Sequence, residues 1–175
     1  MMHSLLLVSL LQISAAQSAV VASDGRIAYE SGGSLYIMRT GEPAARITSG
    51  PFIDRQPAWS PDGKTIVFVS DRAGDTHLYR VAVDGLRAAG APERLTFTAD
   101  ADTEPSVAPD GRIVFVRGTG AGADLWIREA SGAEKKLVNA PGNDRSPSVS
   151  RDGVVVYSAT REGRRQLRSI RLDGT

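Results

Sequence analysis

Histidine and cysteine are the side chains that most readily supply general bases, nucleophiles and metal ligands near neutral pH. This 175-residue chain has no cysteine and two histidines, His3 and His77. Without thiols there is no disulfide, no thiolate nucleophile and no cysteine-ligated metal. A Ser-His-Asp relay through His77 would need a serine presented on a sharp turn, and the sequence contains no Gly-x-Ser-x-Gly. A hydrolytic zinc would need about three suitable ligands, commonly several histidines. No catalytic residue, metal or cofactor is expected.

Three weaker patterns have bland explanations. Asp100-x-Asp102-x-Glu104 spaces carboxylates like half of a calcium loop, but the glycine and distal glutamate of such a loop are missing. Asp102 also opens an Asp-x-x-Pro stretch shared with Asp54 and Asp144, where a carboxylate can bond nearby backbone N–H groups. Gly118-Thr119-Gly120-Ala121-Gly122 has the look of a phosphate loop, yet it joins two strands rather than a strand and a helix, and is read as a hairpin. Arg151, Arg161, Arg164, Arg165, Arg168 and Arg171 make the last segment basic, read as an edge strand kept soluble by charge, with an anionic partner surface as the alternative. Over the whole chain 21 Lys and Arg balance 20 Asp and Glu, which argues against nucleic acid as a partner.

The elements that would carry these residues repeat. Asp-Gly turns at Asp24-Gly25, Asp62-Gly63, Asp110-Gly111 and Asp152-Gly153 share one frame, at intervals of roughly forty to fifty residues. Pro57, Pro105 and Pro147 stand at one offset before the turn, with Ala19 in the first repeat. The aromatics Tyr29, Phe68, Phe115 and Tyr157 follow it. A later leucine, Leu35, Leu78, Leu125 or Leu167, precedes a second glycine, Gly41, Gly85, Gly132 or Gly174.

Ser60-Pro61-Asp62-Gly63 suits a type I turn closed by a left-handed glycine, hence a hairpin with a bulge. In that repeat, strands are expected at 56–59, 64–70, 76–83 and 93–98. Ile66-Val67-Phe68-Val69, Ile113-Val114-Phe115-Val116 and Val154-Val155-Val156-Tyr157 are apolar without alternation, which predicts that both faces of these strands are covered. Meanders stacked as propeller blades satisfy that requirement. The expected architecture is all-β: a propeller-type array of about four four-stranded antiparallel blades, the last lacking its fourth strand, forming an open or truncated propeller. Blades are placed at 17–50, 51–98, 99–140 and 141–175. An unclosed arc would leave an edge open to self-association or completion by a partner.

Ahead of the repeats, Leu5 to Ile13 is a short apolar core followed by Ser14-Ala15-Ala16. This is the layout of a signal peptide over 1–16, too short for a stable membrane span. A periplasmic or secreted protein is expected.

Asp54, Pro57, Trp59, Ser60, Pro61, Asp62, Gly63, Leu95 and Thr96 resemble the Asp-x-x-Pro-x-Trp-Ser-Pro-Asp-Gly…Leu-Thr unit of the TolB-like, WD40-like propeller repeats. The third repeat matches at Asp102, Pro105, Asp110, Gly111, Leu125 and Leu137, and the fourth at Asp144, Pro147, Asp152, Gly153 and Leu167. The resemblance implies a non-enzymatic scaffold of the bacterial cell envelope that binds protein partners, possessing the propeller and no preceding α/β domain. It places the partner surface at the start of each first strand: Asp54, Arg55, Asp102, Thr103, Asp144 and Arg145. The alternative it carries is the gating-type propeller of a prolyl oligopeptidase-like serine peptidase, separated from its hydrolase.

Overall fold

The computed structural model describes residues 18–175, so the proposed signal segment lies outside the described residues. Those residues form four small antiparallel sheets set around one axis as a four-blade β-propeller. The first blade is β1 (Ala19–Val21), β2 (Ile27–Ser31), β3 (Ser34–Met38) and β4 (Ala45–Arg46). The second is β5 (Asp54–Trp59), β6 (Thr65–Ser70), β7 (His77–Asp84), β8 (Arg87–Ala88) and β9 (Glu93–Arg94). The third is β10 (Asp102–Val107), β11 (Ile113–Arg117), β12 (Asp124–Arg128) and β13 (Glu134–Lys136). The fourth has three strands, β14 (Asn143–Val149), β15 (Val154–Arg161) and β16 (Arg164–Arg171).

Each blade is a meander because its turns carry the right residues. Gly25, Gly63, Gly111 and Gly153 all take positive φ, and at Gly63 the N–H donates to the Ser60 carbonyl at 2.9 Å. The second blade departs from a simple meander: β7 runs to Asp84 and turns through Gly85 into β8, while β9 returns to pair with β7. The glycine-rich stretch between β11 and β12 folds into a single 3-10 turn at Gly120–Gly122, in keeping with a strand connection rather than a phosphate loop.

The sheets stack through three apolar seams. Ala28, Leu35, Ile37 and Ile47 of the first blade meet Ile66, Phe68, Tyr79 and Val81 of the second. The other face of the second blade, with Val67, Val69 and Leu78, meets Ile113 and Phe115 of the third. Val114, Val116, Leu125 and Ile127 then pack on Val155, Tyr157 and Ala159 of the fourth. Phe68 and Phe115 are fully buried, and each burial stabilises the fold by roughly 1.5–3 kcal/mol.

Continuous apolar character at β6 and β11 therefore does mean two covered faces. At β15 it does not: Val155 and Tyr157 are buried, but Val156 is 42% exposed, because no further blade among the described residues lies on that side. There the expectation drawn from Val154-Val155-Val156-Tyr157 fails.

Candidate interaction surface

Each inner strand begins with Asp-x-x-Pro, and proline cannot donate a ladder hydrogen bond. The register accordingly slips between Arg55 and Ala58, between Thr103 and Ser106, and between Arg145 and Ser148. In these three bulges the residue before proline takes left-handed φ: Gln56 at 51°, Glu104 at 54° and Ser146 at 53°. A non-glycine residue there is strained, and three at the same place mark one constructed feature of the fold.

The bulges interlock around one mouth of the central channel, lined by Ser18, Gln56, Pro57, Glu104, Pro105, Ser146 and Pro147. The Gln56 N–H donates to Glu30 Oε2 at 3.2 Å, and the Glu104 N–H to Gln56 Oε1 at 3.0 Å. The Ser146 N–H donates to Glu104 Oε2 at 2.5 Å, and Arg145 Nη1 donates to Glu104 Oε1 at 3.1 Å. Each bulge thus offers a side-chain oxygen to the next blade. In the first blade Glu30 supplies it, with Ser18 Oγ donating to the same carboxylate at 3.3 Å.

The three aspartates nominated from the sequence sit just behind this rim, and all are buried: Asp54 is 1% exposed and Asp102 and Asp144 are 0%. Arg72 Nη2 donates to both Asp54 oxygens at 2.8 and 2.9 Å. Arg117 holds Asp102 with two bonds, at 2.7 and 3.0 Å, and also reaches Glu134 at 2.7 Å. Arg161 Nη2 binds Asp144 Oδ1 at 2.7 Å. Each aspartate N–H also donates to a carbonyl of the preceding blade, at Gly33, Thr76 and Ala123. These side chains fasten blades; they are not open to a partner. Asp102 is committed to Arg117 and Glu104 to the rim, so the calcium-like spacing is consumed by the fold. Arg55, Thr103 and Arg145 are half-buried and belong to the rim itself, Arg55 lying 3.4 Å from Thr76 Oγ1.

The electrostatics follow from burial. Burial pushes the Asp144 carboxyl up against the opposing pull of Arg161. Burial alone would lower the Arg117 guanidinium, but its bonds to Asp102 and Glu134 outweigh that and hold it up. His77, the first residue of β7, is 2% exposed, with Nδ1 4.0 Å from Asp102 Oδ2. Burial lowers its pKa, Arg94 adds to the effect, and Asp102 and Asp75 oppose it. A buried, neutral imidazole beside an aspartate already bound by arginine is a packing group.

Sequence reasoning missed Glu30, Gln56 and Glu104 as rim residues. The signal was present: a residue that can offer a side-chain oxygen precedes the proline in each of the three bulges. The two tryptophans are half-buried in the blades, with the Arg26 and Arg117 guanidinium carbons 4.8 and 4.7 Å from the ring centres of Trp59 and Trp126. Among the described residues no helix is long and apolar enough to cross a membrane.

The family profile described as "TolB beta propeller domain" matches residues 20–175. The Tol-Pal system protein TolB of Bordetella pertussis is 42% identical over 53 residues, 29% of this chain and 12% of that protein. An uncharacterized peptidase, YuxL, of Bacillus subtilis is 37% identical over 70 residues, 39% of this chain and 10% of its own length. Among solved structures, a putative TolB from Agrobacterium tumefaciens superposes with a TM-score of 0.76 at 21% identity, covering 90% of this chain and 58% of that one. The matches span only a small part of the two relatives' lengths.

Proposed function

Because the chain belongs to the TolB β-propeller domain family, we propose that it is an exported, non-enzymatic scaffold of the cell envelope that binds a protein partner at the bulged rim of its channel. The observation that carries this reading is the convergence of three left-handed bulges on one mouth, cross-bonded from blade to blade. Rigid sheets hold irregular backbone at one end, the usual division between scaffold and recognition surface. Arg55, Thr103 and Arg145 are the contact residues, and Asp54, Asp102 and Asp144 act by holding their strands. The layout of residues 1–16 supports export to the periplasm or beyond, and the relative named as a Tol-Pal system protein supports the envelope setting.

A photo-crosslinking amino acid at Thr103, in cells producing the full chain, tests this directly. Capture of a defined envelope protein, lost on charge reversal at Arg55 and Arg145, is the expected result. No adduct from Thr103, or the same adducts from a control position such as Lys64, would refute it.

The second reading, a propeller that gates a peptidase, is favoured by the match to the Bacillus subtilis peptidase. It predicts an α/β-hydrolase as the captured partner.

A further inference from the structure

The outer edge of the fourth blade repeats, in its main chain, a docking position that the other three blades fill themselves. In the first three blades the third-strand leucine accepts a bond from an apolar residue of the outer segment. Ile47 N–H donates to Leu35 O at 2.9 Å, Leu95 N–H to Leu78 O at 2.8 Å and Leu137 N–H to Leu125 O at 2.8 Å. A threonine after that residue accepts the leucine's own N–H in two of them: Leu35 to Thr48 Oγ1 at 2.9 Å and Leu78 to Thr96 Oγ1 at 3.1 Å. Leu35, Leu78 and Leu125 are fully buried, whereas their counterpart Leu167, on a strand with no outer neighbour among the described residues, is 81% exposed.

Charge says what fits there. The residue after the leucine lies opposite the blade's central aromatic: Tyr36 opposite Tyr29, Tyr79 opposite Phe68 and Trp126 opposite Phe115. Across the outer pairing, each of these faces a base: Tyr36 faces Arg46, Tyr79 faces Arg94 and Trp126 faces Lys136. In the fourth blade that position, opposite Tyr157, is Arg168. The aromatic has become a cation, so the residue facing it should change from basic to acidic. Arg164, Arg165 and Arg171 share the strand, and among the described residues none of these four arginines forms an ion pair.

We propose that β16 binds an extended acidic segment of another protein as a fourth strand, reading Asp or Glu, then Leu or Ile, then Thr. The apolar residue's N–H bonds to Leu167 O, the threonine accepts the Leu167 N–H, and the carboxylate lies opposite Arg168. A second copy of this chain fits poorly. Its Ile47-Thr48 and Leu95-Thr96 segments are already paired within their own blades, and each follows an arginine that would confront Arg168. Phosphate on a lipid or nucleic acid would satisfy the arginines yet leave the Leu167 amide and carbonyl unpaired.

The test uses the full chain and short fluorescein-labelled peptides with Glu-Leu-Thr or Lys-Leu-Thr at the centre, read by anisotropy. The wild type is expected to prefer the Glu peptide by roughly fivefold or more. Arg168→Glu should reverse that preference with an unchanged melting temperature, since the side chain is exposed. Methylation of the leucine nitrogen in the Glu peptide should abolish binding. The proposal is overturned by a lack of saturable binding, by a preference that R168E fails to reverse, or by full affinity of the N-methylated peptide. Sedimentation showing a dimer that buries Leu167 would also overturn it, in favour of a second copy as occupant.

Discussion

A buried ionisable side chain reveals its role through the direction in which its environment pushes it. His77 is held neutral by burial, so its folded pKa lies below the usual imidazole value of about 6.5. Below that value the unfolded chain takes up a proton that the folded chain resists. Stability contributed by a neutral His77 is therefore complete above about pH 6.5 and is lost as pH falls through 6.5 towards the lower folded value. The difference in unfolding free energy between wild type and His77→Gln should shrink from pH 7.5 to 5.5, measured by urea titration at each pH. A difference that grows on acidification would mean that the imidazolium is favoured by Asp102. The Asp-x-x-Pro pattern was legible in the sequence as a turn-stabilising carboxylate. That its partner would be an arginine was not, because Arg72, Arg117 and Arg161 fall at unequal distances along the chain and become equivalent only once the strands are paired.

At the level of elements, much of the fold was legible from turns alone. The Asp-Gly frame, the prolines before it and the aromatic after it fix where each blade starts and which strand is central. The outer strands were less so. β4 and β9 are two residues long and β13 three, too short for periodicity to register. β8 exists because β7 outruns the sheet and folds back through Gly85, which no spacing announced.

The turns also join blades. Arg26, following the Asp24-Gly25 turn, donates to the carbonyls of Gly63 and Gly85 in the next blade, and Arg112, following Asp110-Gly111, donates to the Leu172 carbonyl at 3.3 Å. A Cβ added at Gly63 would lie 2.8 Å from Arg26 Nη2 and would be forced into left-handed backbone. Gly63→Ala should cost about 1–2 kcal/mol by chemical denaturation. An unchanged midpoint would show that the turn tolerates a side chain and that the arginine clamp is dispensable.

For the molecule as a whole, the governing fact is that flat sheets stabilise one another in series. Each seam joins the aliphatic face of one blade to the aromatic-bearing face of the next, so the order of blades is built into the order of the chain. Where the series stops, at the far face of the fourth blade, composition does not warn of it: Val156 is as apolar as Val114. Burial there depends on a neighbour rather than on the strand's own sequence. The rim follows from the same arrangement, since its bonds run between bulges that only the stacked blades bring together.

The pair Val114→Thr and Val156→Thr measures that arrangement most directly. Both sit just before the central aromatic of their strands, and the exchange keeps shape while adding a hydroxyl. Val114 lies in the seam between the third and fourth blades, fully buried, and Val156 on the open face. Urea unfolding should show a loss of roughly 1–3 kcal/mol for Val114→Thr and a change within about 0.5 kcal/mol for Val156→Thr. Equal losses at the two positions would contradict a fold in which covered and open blade faces differ.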